Sequence, residues 1–210
     1  MHRNWLGPLT VCALVALATV VARSDEPWRG KAPERWTLED AEKVLQDSPW
    51  VRNFQLGQFA VRIRSAEPVR LALVRRRAAL PDAHIRSVQP PDPGELHRSA
   101  DSLSVPGRLL ISIHPRGPDA VDALNRQSLR TFRPHAYLEL TASGQRIRPI
   151  AYEAPWQNEL KSAVFQFPRP SLEEAGERMT FVARFGLPKI VTLEADFDLA
   201  DLMWQGHIEY

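Results

Sequence analysis

The chain has 210 residues, 44% of them hydrophobic, one cysteine and a formal net charge of +2. That is enough apolar material for one ordinary domain with a sizeable core. Near-balanced charge excludes nucleic acid or a strongly anionic surface as the main partner.

Residues 1–8 carry His2 and Arg3, and residues 9–21 are apolar apart from Thr10 and Thr19. Small and medium residues at 20–22 precede polar Arg23, Ser24 and Asp25. This pattern predicts a cleaved secretory signal peptide over 1–22. The run is shorter than the about 20 apolar residues of a membrane-spanning helix. The expected product is therefore exported, periplasmic or extracellular, and has no transmembrane helix after cleavage. Cys12 leaves with the leader, so the mature chain is expected to hold no disulfide, thiol nucleophile or thiolate ligand.

Residues 23–35, with Pro27 and Pro33, read as a flexible tether. A helix follows. Thr37 is its N-cap, Asp40 completes a capping box, and Trp36 sits at the staple position. Leu38, Ala41, Val44, Leu45 and Ser48 share one face, and Pro49 stops the helix near Asp47. Trp36 and Trp50 would anchor its two ends. Over 58–65, Phe59, Val61 and Ile63 alternate with Gln58, Arg62 and Arg64, which predicts a half-buried strand with the arginines wet. Residues 67–80, opened by Pro68, predict a helix, with an extended alternative. Residues 81–106 form a proline-rich loop with a helical turn near 95–101. A strand at 108–115 and a helix at 118–129 come next.

From Ala136 the texture changes to short strands at 136–141, 145–152, 162–168, 178–185, 189–199 and 202–210. Val191, Leu193, Ala195, Phe197 and Leu199 face one way, and Thr192, Glu194, Asp196 and Asp198 the other. One wet face marks antiparallel pairing. The predicted architecture is a single α+β domain over 36–210. It comprises an N-terminal amphipathic helix, a β-α-β-α portion and then a mainly antiparallel sheet.

The segment WTLEDAEKVLQDSPW (36–50), of the form W-T-x-x-D-A-x-x-V-L-x-x-S-P-W, is accompanied by SAEPVRLAL (65–73), FPRP (167–170) and a closing FDLADLMWQGHIEY (197–210). In these pieces the chain resembles a group of uncharacterised exported bacterial proteins. The resemblance implies export and a shared fold, and it carries no activity, cofactor or site residue.

Candidate chemistry centres on His114, which closes the strand at 108–115 with Asp119 and Asp122 following. An aspartate could orient the imidazole as a catalytic base. Ser112 lies on the same strand face about 7 Å away, beyond hydrogen-bond reach, and no Gly-x-Ser-x-Gly elbow exists. His84, His97, His114, His135 and His207 are scattered without metal-ligand spacing, so no metal site is expected. The acidic comb Glu194, Asp196, Asp198 and Asp201 reads as a wet strand face paired with arginines. Arg75, Arg76 and Arg77 read as a solvated helix face. Trp156 falls in a loop and is the tryptophan expected to be exposed for partner recognition. The leading expectation is a cofactor-free envelope or periplasmic protein that binds or scaffolds an envelope protein or polymer. The alternative is an extracytoplasmic hydrolase using His114 with Asp119 or Asp122, with residues 81–106 as a lid.

Overall fold

A computed structural model describes residues 26–79, 92–186 and 189–210, so the signal peptide expected over 1–22 and residues 81–91 of the proline-rich loop lie outside the described residues. Helix α1 (Pro27–Gly30) and a 3-10 turn (Pro33–Arg35) lead into α2 (Leu38–Asp47), β1 (Val51–Phe54), β2 (Phe59–Ile63) and α3 (Glu67–Ala79). Next come α4 (Pro93–Asp101), β3 (Arg108–Pro115), α5 (Pro118–Asn125) and α6 (Leu129–Phe132). Strands β4 (Ala136–Leu140), β5 (Gln145–Ile147), β6 (Ala151–Glu153) and β7 (Ala163–Pro168) precede α7 (Leu172–Ala175). The chain closes with β8 (Arg178–Phe185), β9 (Val191–Asp198), β10 (Met203–Trp204) and β11 (His207–Ile208).

The strands form a five-stranded sheet in the order β1-β2-β3-β7-β6, a four-stranded sheet in the order β5-β4-β8-β9, and the β10-β11 hairpin. Every pairing is antiparallel, and the chain is α+β as its patterning predicts. No helix among the described residues is long and apolar enough to cross a membrane.

Register fixes what each face of the five-stranded sheet carries. Val61 pairs with Ile113, Ile63 with Ile111, Ile111 with Phe165 and Leu109 with Phe167, and all of them are buried. This face meets the four-stranded sheet through edge-to-face aromatic pairs. Phe59 lies 5.5 Å from Phe185 and Phe165 lies 5.3 Å from Phe181, centroid to centroid. The opposite face carries Ala60, Arg62, Leu110, Ser112 and His114, and α2 and α3 cover it. Strand β2 is consequently buried along its whole length, and Arg62 is only 3% exposed. The wet Arg62 expected from alternation is corrected by this second layer of helices.

The N-terminal segment differs from the expected tether as well. Among residues 26–35, Trp28 and Pro33 are buried. The indole N–H of Trp36 donates to the Pro27 and Lys31 carbonyls at 3.3 and 3.2 Å. Arg75, 7% exposed and not solvated as expected, donates from α3 to the carbonyls of Pro33 and Glu34. An apolar Trp28 gains far more from packing than from water, and that gain orders the segment.

Helix α2 matches its sequence signature. The Thr37 Oγ1 accepts from the Asp40 N–H at 3.1 Å, and the Asp40 carboxylate accepts from the Thr37 N–H at 2.9 Å. Trp36 and Trp50 both abut Trp204 of β10, at 5.8 and 6.4 Å. Elsewhere boundaries move. Residues 93–101 are helix, capped by the Asp92 carboxylate at 3.2 Å and packed through Leu96 and Ala100. The helix expected over 118–129 ends at Asn125, and Ser128 caps the separate turn α6. The strand expected over 145–152 breaks at Pro149, so β5 and β6 join different sheets.

Candidate functional site

Strand β3 runs through the middle of the five-stranded sheet and presents Ser112 and His114 to the helix-covered face. Arg62 pairs across from Ser112 and is the diagonal neighbour of His114, whose own partner is Ala60. A specific vacancy in backbone bonding explains why Arg62 is buried there. The Leu45 carbonyl in the last turn of α2 would normally accept from the N–H four residues on, but that residue is Pro49. The Arg62 Nε supplies the missing donor at 2.8 Å. Asn53 Nδ2 donates in the same way to the Gln46 carbonyl at 2.7 Å.

The charges of two more arginines, Arg76 and Arg116, bear on this face. Arg76 reaches in from α3, with its side chain 15% exposed and its Nε 4.0 Å from the Glu42 carboxylate of α2. Gln46 holds the other Glu42 oxygen at 3.1 Å. Arg116 follows β3, its N–H donating to the Gln58 carbonyl at 2.8 Å. Its side chain lies across the β1–β2 turn, where a Cβ on Gly57 would stand 3.3 Å from Arg116 Nη1. Gly57 has φ +87, so both backbone and space favour glycine there.

These neighbours set the electrostatics. The pKa of His114 is pushed down to about 3, first by burial and then by Arg62, Arg76 and Arg116. Burial, Arg76 and Arg116 likewise lower the Arg62 guanidinium to about 9, with Glu42 pulling the other way. Arg62 is therefore still cationic at neutral pH while His114 is neutral. The buried Nδ1 of His114 has no hydrogen-bond partner. Arg64, on the neighbouring row of the sheet, has its pKa lowered by burial and opposed by Glu153, and its buried Nε is also unpartnered.

Asp119 and Asp122 lie exposed on α5, and among the described residues neither forms a hydrogen bond or ion pair with His114. The catalytic pair read from the sequence is thus not assembled, and cations surround the imidazole. A base with so low a pKa would be a weak proton acceptor near neutrality.

The remaining candidates separate cleanly. No group of three metal-ligating side chains occurs among the described residues. Asp198 pairs with Arg178 at 2.5 Å and Asp196 accepts from Thr180 at 2.6 Å, so these two members of the acidic comb are tied across strands. His97 bridges Glu34 and Glu67 at 3.0 and 3.3 Å, a structural clamp from α4 to its neighbours. His207 is exposed on β11, His135 lies at the end of a groove with Arg130 and Arg184, and His84 is outside the described residues. Trp156 is 64% exposed, whereas Trp28, Trp36, Trp50 and Trp204 are buried. Its backbone N–H donates to Asn125 Oδ1 at 3.2 Å. The arginine triplet has three fates: Arg75 clamps the N-terminal segment, Arg76 enters the His114 cluster, and Arg77 pairs with Glu159 at 2.6 Å.

The sequence did not single out Arg62, Arg76 and Arg116 as the charges that bear on His114. The available signal was Pro49 four residues after Leu45, which leaves a carbonyl that some buried donor must satisfy. No protein-family model, curated protein or solved structure matches the chain.

Proposed function

We propose that the protein is exported and works outside the cytosol by binding, with the His114 face as its recognition site and the Trp156 loop as a second contact surface. Export is supported by the leader pattern over 1–22 and by the resemblance of residues 36–50 to exported bacterial proteins. The observation that carries binding over hydrolysis is the company His114 keeps. Three arginines bear on it, and no carboxylate among the described residues orients it. Hydrolytic mechanisms of the histidine type need the reverse arrangement, an anion behind a basic imidazole.

The reading is tested on protein recovered from its native host. Mass spectrometry of the extracytoplasmic fraction is expected to give a chain beginning near Arg23. A panel of chromogenic carboxyl-ester, phosphoester and peptide substrates is expected to show no turnover above buffer. A cytosolic product with Met1 intact, or turnover abolished by His114→Gln, would overturn the proposal.

A further inference from the structure

We propose that the groove where α6 meets the start of β4 and the end of β8 binds an extended acidic peptide of a partner protein. The site is separate from the His114 face and does not depend on it.

Two open depressions of about 720 and 520 Å³ adjoin on this surface, because Arg130 and Pro134 line both. Arg133 and Arg148 line the first, and His135 and Arg184 the second. Among the described residues no carboxylate lines either one. The nearby strands spend their carboxylates on other arginines, Glu139 on Arg146 and Asp198 on Arg178. The chain as a whole carries only +2, so four arginines without an acid between them are a local surplus. Hydrogen bonds fix the frame that carries them. The Arg184 N–H donates to the His135 carbonyl at 3.0 Å, and the His135 N–H to the Phe132 carbonyl at 2.7 Å. Arg148 Nη1 donates to the Pro134 and Ala136 carbonyls at 3.1 and 3.3 Å, with its guanidinium 5.3 Å from the Tyr137 ring. A donor held in place beforehand loses less entropy when a ligand arrives.

The groove also has an apolar strip. Leu129 and Pro134 line one depression, Phe185 and Ile190 the other, and Ile190 is 66% exposed. Guanidiniums select oxyanions in general, so the strip decides between them. A sugar–phosphate polymer brings charge but nothing to cover Ile190. A fatty acyl tail needs an enclosed cavity, whereas Arg130, Arg133, His135 and Arg184 are all exposed. An extended peptide turns successive side chains to opposite sides, so its carboxylates reach the arginines while its apolar side chains cover the strip.

The test is fluorescence anisotropy at neutral pH with labelled octapeptides in which aspartate and glutamate alternate with leucine and valine. Two counterpart peptides replace the acids by glutamine or the apolar residues by serine. Saturable binding of the acidic–apolar peptide is expected, weakening as salt rises. An exposed ion pair is worth up to about fivefold in affinity, so Arg130→Gln should weaken binding about threefold to fivefold. Arg130→Gln combined with Arg184→Gln should weaken it by about tenfold or more. Ile190→Ser is expected to weaken it about fivefold. Arg77→Gln, on α3 and paired with Glu159, should leave affinity unchanged. Every substituted side chain is exposed, so the variants keep the fold, which circular dichroism checks. No saturable binding, equal affinity for either counterpart, or an equal loss in Arg77→Gln would overturn the assignment. Tighter binding to phosphatidylglycerol vesicles or heparin, lost with the same arginines, would give the face to a polyanion. Self-association lost in Arg130→Gln would give it to a second copy of the chain. Either result overturns the peptide assignment. Cleavage of the bound peptide would instead sink the non-enzymatic reading above and leave this site standing.

Discussion

At the scale of single residues, the clearest consequence concerns acid. His114 has a folded pKa of about 3 against an ordinary 6.5, because burial and the cations Arg62, Arg76 and Arg116 oppose its protonation while Glu42 is the nearby anion. Between those values the unfolded chain takes up a proton that the folded chain refuses. His114 therefore removes stability as pH falls from about 6.5 towards 3, by at most about 1.4 kcal/mol per pH unit. The carboxyl of Glu34, held low by a backbone hydrogen bond and His97, keeps its contribution until pH falls below the ordinary 4.5 and loses it from there downward. The difference between wild-type and His114→Gln denaturation curves isolates the histidine. That difference is expected to narrow the acid loss, and identical slopes would contradict the assignment. Trp156 makes the opposite prediction. Its side chain is mostly in water, so Trp156→Ala should change stability by no more than about 0.5 kcal/mol in chemical denaturation. At this scale the sequence identified His114 and the exposed Trp156 as the residues to watch, but not the partners of His114. Alternation shows that Arg62 points away from Phe59 and Val61, yet it cannot show whether water or a helix waits on that side.

At the scale of elements, legibility followed how local the determining chemistry is. The α2 capping box is closed between residues three apart, so Thr37 and Asp40 declare it in the sequence. Thr37→Ala is expected to cost about 1 kcal/mol in equilibrium unfolding, with the Asp40 N–H left without its acceptor. The Trp36 and Trp50 flanks were equally visible, but their common partner Trp204 lies far along the chain and no local pattern names it. Trp204→Ala empties the centre of that cluster and should cost about 3–5 kcal/mol. A loss near 1 kcal/mol would mean that the cluster is ornamental. Strand β1 escaped notice because four residues carry no usable period, and Val51 and Phe54 face different layers. Residues 26–35 misled for another reason. Prolines and charges suggest a tether, whereas Trp28 is buried and the carbonyls of Pro33 and Glu34 accept from Arg75, some forty residues later.

At the scale of the whole molecule, the two sheets share an aromatic core, and helices α2 and α3 lie on the outer face of the five-stranded sheet. The described N-terminal segment and the C-terminal hairpin meet on the same helical layer. Trp50 donates its indole N–H to the Glu209 carbonyl at 2.8 Å, and Tyr210 donates to Pro170 at 2.9 Å. A chain trimmed to begin at Trp36 would lose the buried Trp28 and the two carbonyls, Pro33 and Glu34, to which Arg75 donates. That variant is expected to lose about 2–3 kcal/mol, chiefly from the burial of Trp28, and an unchanged melting temperature would show the segment to be a passenger after all. The α+β class followed from texture alone. The surroundings of His114 did not, because strand, helix and turn residues distant in sequence set its electrostatics, and only the fold relates them.

The account depends most on His114 being a cation-flanked, uncharged imidazole. Histidine-detected NMR across a pH series measures this directly. The expected result is a ring that stays neutral down to about pH 3 in the free protein and shows no coupling to a carboxylate. A ring titrating near 6.5 with its Nδ1–H bonded to Asp119 or Asp122 would contradict the account and restore the catalytic pair.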